Sequence, residues 1–215
     1  MLARSLGRTQ RWRWATIGVV ALALAGAVSC GHQNTTGRSP SYLVIDLLQG
    51  ASGAKPNTFG GVVESDVVTN VKVQVGGQEV LQPTVYEDMG QVTLKMMLKD
   101  VSVASPTSAN FITVTRYHVE FKRTDGRKTP GVDVPYGFDG AATGTIDTSG
   151  GALTFVLVRA QAKLEAPLKA LRNGGSAIVI STIAEITFYG ADQNANQVSV
   201  TGSISVNFAD WGDPT

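Results

Sequence analysis

An all-β fold of antiparallel strands is predicted by three features of the 215-residue chain. From Tyr42 onward, apolar side chains recur with a period of two, as in strands whose side chains alternate between two faces. Twenty-four glycines, several of them paired or beside Pro, Asn or Asp, punctuate those runs where tight turns belong. Only Ala166 to Asn173 carries the punctuation of a helix.

The chain opens differently. Arg4, Arg8, Arg11 and Arg13 precede an apolar run from Ala15 to Val28, which ends in the small residues Ala25-Gly26-Ala27-Val28-Ser29-Cys30. This is the layout of a secretory signal. The run has 14 residues, short of the roughly 20 that a membrane-spanning helix needs. Its close, Ala27-Val28-Ser29-Cys30, resembles the lipobox of bacterial lipoproteins. The resemblance implies cleavage before Cys30, a diacylglycerol on its thiol and an acylated new amine, with Ala27 standing where leucine is commonest. Cleavage after Ala27 or Ser29 by an ordinary signal peptidase is the alternative. Cys30 is the single cysteine of the chain, and thioether attachment accounts for an unpaired thiol in an exported protein. Gly31 in second place is, by the same resemblance, what lipoproteins forwarded to an outer membrane carry. The expected organisation is therefore a lipoprotein signal peptide over 1–29, a flexible tether over 30–41 and one β domain over 42–215. The tether has no apolar residue from Gly31 to Ser41, and His32 within it has no second metal ligand nearby.

In the domain, Leu43, Ile45 and Leu47 are expected on one face of the first strand. Residues 50–61 read as a loop. Val71, Val73 and Val75 alternate with Lys72 and Gln74 up to the Gly76-Gly77 turn, and Val92, Leu94, Met96 and Leu98 mark the inward face of Gln91 to Lys99. From Phe111 to Arg123 the apolar phase changes: Ile112 and Val114 are even, whereas Tyr117, Val119 and Phe121 are odd. One extra residue near Thr115-Arg116, a β-bulge, restores a common inward face. His118 is then an outward strand position. Leu153 to Val158 is apolar on both faces and reads as a central strand, with its pattern running on toward Leu164. Pro167 suits a first helical position and Gly174 a left-handed cap. Ile178, Ile180, Ala184, Ile186 and Phe188 share one parity, as do Val198, Val200, Ile204, Val206 and Phe208. These two segments are expected to form a hairpin through Gly190 to Gln197. The layout of short strands, with one short helix before the final hairpin, resembles an immunoglobulin-like β-sandwich. That likeness concerns fold and fixes no function; jelly rolls and other sandwiches remain open.

Thr124 to Gly140 holds four glycines, two prolines, three aspartates and two aromatics in 17 residues. Loops of that length are uncommon in compact domains and are often functional. Asp125, Arg127, Asp133, Tyr136, Phe138 and Asp139 are its candidate binding residues. The alternative is an ordered crossover with Tyr136 and Phe138 packed beneath it.

Several chemistries find no support in the sequence. Without the leader's four arginines the net charge passes from +1 to −3, so no basic face invites nucleic acid. The two histidines, His32 and His118, accompany no Gly-x-Ser-x-Gly elbow. No catalytic residue, cofactor or metal site is assigned. Asp192-x-Asn194-x-Asn196 resembles the start of a calcium loop but has Gln197 and Ser203 where its glycine and glutamate belong; a polar hairpin turn is the expectation. Trp211 is expected to pack the C-terminus. The functional expectation is a module anchored to the cell envelope by lipid, at an outer membrane where there is one, with a binding or structural role. Its partners beyond the membrane would be an envelope protein or a glycan. The alternative is a hydrolase using loop carboxylates, through pairs such as Asp133 with Asp139 or Glu165 with Glu185.

Overall fold

The computed structural model describes residues 37–100, 102, 105–174 and 178–213. Ten strands dominate: β1 Ser41–Ala51, β2 Val62–Asp66, β3 Thr69–Val75, β4 Gln78–Thr84, β5 Asp88–Leu98, β6 Ile112–Arg123, β7 Phe138–Ile146, β8 Gly151–Val158, β9 Ile180–Asp192 and β10 Gln197–Ala209. A five-residue helix, α1 (Ala160–Leu164), and 3-10 turns at Ser108–Asn110 and Leu168–Leu171 make up the helical part. The fold is all-β, as the alternation predicts.

The strands form a three-stranded sheet in the order β1-β5-β8, a five-stranded sheet in the order β2-β10-β9-β6-β7, and a separate β3-β4 hairpin. Every pairing is antiparallel except β2 with β10, which run parallel. The larger sheet curls into half a barrel. The smaller one lies across it, β1 against β10 and β8 against β7. Gly202 of β10 leaves room for Ile45 and Leu48 of β1, whose side chains a Cβ there would meet. One apolar core fills the space, including Leu94 and Met96 of β5, Phe155 and Leu157 of β8, and Ile186, Phe188 and Phe208 of β9 and β10.

The ring of Tyr117 lies within this core, beside Phe138, Phe155 and Phe188. Its hydroxyl accepts the Val156 N–H at 3.1 Å, tying β6 of one sheet to β8 of the other. Burial raises its pKa above the usual phenol value, against the lowering effect of that bond.

The phase change in β6 is a bulge: its register against β7 and β9 shifts between Val114 and Arg116. A second bulge, which the sequence pattern hides, shifts β1 against β5 between Ile45 and Leu47. It turns Leu47 outward to 49 % exposure and brings Leu48 to the core instead, correcting the expected Leu43-Ile45-Leu47 face. Leu153 to Val158 also differs from expectation, since β8 is the edge of its sheet. Phe155, Leu157 and Val158 are buried, while Val156 is only half-buried. The chain leaves the strand at Val158, so Leu164 ends α1 and is exposed. Past the Leu168–Leu171 turn it is Asn173, not Gly174, that adopts positive φ, at 61°. Ile178 lies before β9 and is exposed. The expected β9-β10 hairpin forms, and its register sets Val200 opposite Phe188 and Ile204 opposite Ala184.

Strand β7 emerges from within the stretch that reads as a long loop. Its sequence, Phe-Asp-Gly-Ala-Ala-Thr-Gly-Thr-Ile, is too poor in large apolar residues to announce a strand. Two of its glycines explain the composition: a Cβ on Gly140 would strike the Tyr117 ring, and one on Gly144 the Leu153 side chain.

Candidate functional site

The loop between β6 and β7 is internally satisfied. Asp125 accepts bonds from Arg127 Nη2 at 2.8 Å, Arg127 Nε at 3.0 Å and Arg123 Nε at 3.2 Å. These guanidinium bonds, Arg127 first, hold its carboxyl down to about 2. Arg127 also reaches Asp133 at 3.5 Å, and Asp133 accepts the Thr129 N–H. Val134 and Pro135 are buried beneath the loop. Phe138 is the first residue of β7 and belongs to the core, with the Arg159 guanidinium 4.5 Å from its ring. Tyr136 is 52 % exposed. Asp139 stands apart from the other carboxylates, on the outward face of β7, bonded to His118 Nδ1 at 3.2 Å and Arg116 Nη1 at 3.4 Å. Of the six candidate residues, Asp125, Arg127 and Asp133 therefore form one ion network, while Tyr136, Phe138 and Asp139 face three different surroundings.

The pairs considered for hydrolysis do not share a site: Asp133 and Asp139 are each held by their own cations, and Glu165 accepts from Gln161 beyond α1 while Glu185 projects from β9 opposite Glu120. Two other carboxylates, Glu64 and Asp66 of β2, do line one cavity of about 170 Å³ with Lys55 and Trp211. Both oxygens of Asp66 are engaged, however, by Thr69 Oγ1 at 2.7 Å and the Trp211 N–H at 3.1 Å. Its pKa is raised, burial outweighing those bonds. Its role is to fasten the chain after β10 to the turn after β2. Trp211 completes that fastening by donating from Nε1 to the Asn207 carbonyl, and Asp213 accepts from Asn70 of β3.

Asp192 closes the β9-β10 turn by accepting from the Asn194 and Asn196 N–H groups and from Asn196 Nδ2. Desolvation works against its ionisation, but those bonds and one from Ser39 outweigh it and hold its pKa below the usual range. Among the described residues there is no cluster of three or more His, Cys, Asp or Glu side chains suited to a metal. No described helix is long and apolar enough to cross a membrane. Cys30 and His32 lie outside the described residues.

The largest cavity described, about 470 Å³, opens where the start of β1 meets the outward faces of β6, β9 and β10. Lys99, Arg116, Tyr42, Tyr189, Gln197 and Ser199 line it. Strand register explains the cluster: the β6 bulge turns Arg116 outward opposite Tyr189, which lies opposite Ser199. The Arg116 guanidinium stacks 3.8 Å from the Tyr189 ring centroid. Ser41, at 1 % exposure, also lines the cavity, and its hydroxyl has no hydrogen-bond partner. No acidic side chain is among the lining residues. The sequence pattern exposes none of this, because the four strands involved and Lys99 are scattered along the chain between Gly37 and Ser199. The one available signal was the β6 phase change, which fixes the direction of Arg116.

A second polar centre is fully enclosed. Lys163 of α1 and Asp88 at the start of β5 have side chains 1 % and 0 % exposed, with Nζ 2.7 Å from Oδ1. The Gly53 N–H donates to the same oxygen at 2.8 Å, and Ser65 Oγ–H donates to Oδ2. Nothing in the local sequence around either residue marks it, since the pair is separated by 75 positions.

No family model matches the chain, and neither does a curated protein or a solved structure.

Proposed function

We propose that this is a lipid-anchored, exported binding module of the bacterial envelope, an immunoglobulin-like β-sandwich that takes an acidic, hydroxyl-rich glycan in the Arg116–Tyr189 cavity. The observation that carries the reading is the make-up of that cavity's wall, which offers two cations, two aromatic rings and hydroxyl and amide groups and no acidic side chain. Arginine and lysine suit carboxylate or sulfate substituents. Tyr42 and Tyr189 offer flat surfaces for a sugar ring, and Ser199 and Gln197 offer hydrogen bonds to its hydroxyls.

The anchor half of the proposal rests on Ala27-Val28-Ser29-Cys30 and the apolar run before it. Only seven positions separate Cys30 from Gly37, the first residue of the cavity wall. Fully extended, that stretch reaches about 25 Å, so the cavity would work close to the membrane that holds it.

Co-sedimentation with purified acidic envelope polysaccharide tests the binding half. Wild-type protein should pellet with the polymer, and Arg116→Ala and Tyr42→Ala should weaken binding at least tenfold while leaving circular dichroism unchanged. Failure of the wild type to pellet, or equal binding by folded variants, overturns it.

A further inference from the structure

We propose that Lys163 and Asp88 are joined by an intramolecular amide bond, formed by the folded chain itself between the lysine Nζ and the aspartate Cγ. This does not rest on the cavity or the anchor, and it turns the enclosed pair from an ion pair into a covalent brace between α1 and the start of β5.

Three observations carry it. First, the partners are in reacting position. With Nζ 2.7 Å from Oδ1, the amine is held against the carboxyl group whose carbon it would attack. Side chains held this way react as if at very high concentration. Second, the pair is dry, at 1 % and 0 % exposure. Ions buried without water are costly, and condensation to a neutral amide would remove both charges at once. Hydrolysis in reverse requires a water that the site excludes. Third, the carboxyl is already polarised. Gly53 N–H donates to Oδ1 and Ser65 Oγ–H to Oδ2, so both oxygens face fixed donors able to stabilise negative charge as the carbon becomes tetrahedral, in the manner of an oxyanion hole.

The step balances without any co-reactant. The Lys163 ammonium gives one proton to Asp88. The Nζ lone pair then attacks Cγ, a second Nζ proton passes to the departing oxygen, and the Cγ–O bond breaks. One water leaves and a neutral secondary amide remains. A second buried carboxyl, Asp66, follows Ser65 in β2 and lies close enough to feel the Lys163 charge.

The chain has reason to use such a bond. With a single cysteine it cannot form an internal disulfide, the usual brace of exported domains. The amide would close a loop of 75 positions that runs from the start of β5 through β6, β7 and β8 into α1, and long loops are those whose closure restrains the unfolded chain most.

Peptide mapping of the full chain under denaturing conditions decides the matter. The expected product is a branched peptide joining the Asp88 and Lys163 segments, one water lighter than their sum, with trypsin failing to cut after Lys163. Asp88→Ala and Lys163→Arg should each abolish the branched species. Should either variant fail to fold, the wild-type map still decides. Recovery of both segments as linear peptides of full mass from folded wild-type protein overturns the proposal, as does a branched peptide that survives Asp88→Ala.

Discussion

Asp125 gathers three guanidinium bonds in the turn after β6, and its pKa of about 2 makes the turn pH-sensitive in a predictable direction. The folded value is depressed, so the contribution is present above the unfolded value of about 3.9 and disappears as pH falls toward 2. A carbon-13 carboxyl titration should find the Asp125 midpoint near 2 in wild type and near the unfolded value in Arg127→Ala. At Tyr117 the hydroxyl matters through the one bond it makes with Val156. Tyr117→Phe leaves a part-buried N–H unpaired and should lower unfolding free energy by about 1–3 kcal/mol in denaturant titration. The two aromatics once grouped as loop residues separate on the same scale. Phe138→Ala empties a core position and should cost about 3–5 kcal/mol, whereas Tyr136→Ala, half exposed, should stay within about 0.5 kcal/mol.

At the scale of elements, the final hairpin shows how register converts substitution into energy. Val206 is fully buried between Thr182 on β9 and the core. Val206→Asp therefore introduces an unpaired charge and should cost several kcal/mol, a large share of a typical domain's 5 to 15 kcal/mol. Ser203 has the opposite parity and is exposed, but it is not a silent position. It lies opposite Glu185, which lies opposite Glu120, so two like charges already face each other across the sheet. Ser203→Lys should raise stability by about 0.2–1 kcal/mol and Ser203→Asp should lower it by a similar amount, a difference readable as opposite shifts in melting temperature. The β3-β4 hairpin behaves otherwise. Val75, Val80 and Leu81 are exposed, and its alternation, read from the sequence as a strand with an apolar face, carries that face into solvent and not into the core.

For the molecule as a whole, the proposed lipid anchor and the β domain make separate predictions. Cys30→Ser should abolish detergent partitioning of the exported protein while leaving the melting temperature of the domain unchanged, because Cys30 precedes β1 by eleven positions. An unmodified Cys30 in the mass spectrum of the native N-terminus would remove the lipid from the account. The core, by contrast, unites both sheets through Tyr117, Phe155 and Phe188. Damage there should melt the whole domain in one transition.

The all-β class, the bulge in β6 and the β9-β10 hairpin with its inward parities were determined by sequence alone, because each follows from a period of two acting over neighbouring residues. Expectation failed where a partner far along the chain decides. The bulge in β1 is visible only against β5. Strand β7 is hidden because its small residues fit Tyr117 and Leu153, and β8 lies at the edge of its sheet although its sequence reads as apolar on both faces. The same reason applies to the candidate sites. The loop carboxylates could be picked out by composition, but only folding assigns their charges to Arg127, Arg116 and His118. The Arg116–Tyr189 cavity and the enclosed Lys163–Asp88 pair draw on strands and turns that meet only in three dimensions. No local pattern encodes the enclosure of a lysine and an aspartate that stand 75 positions apart.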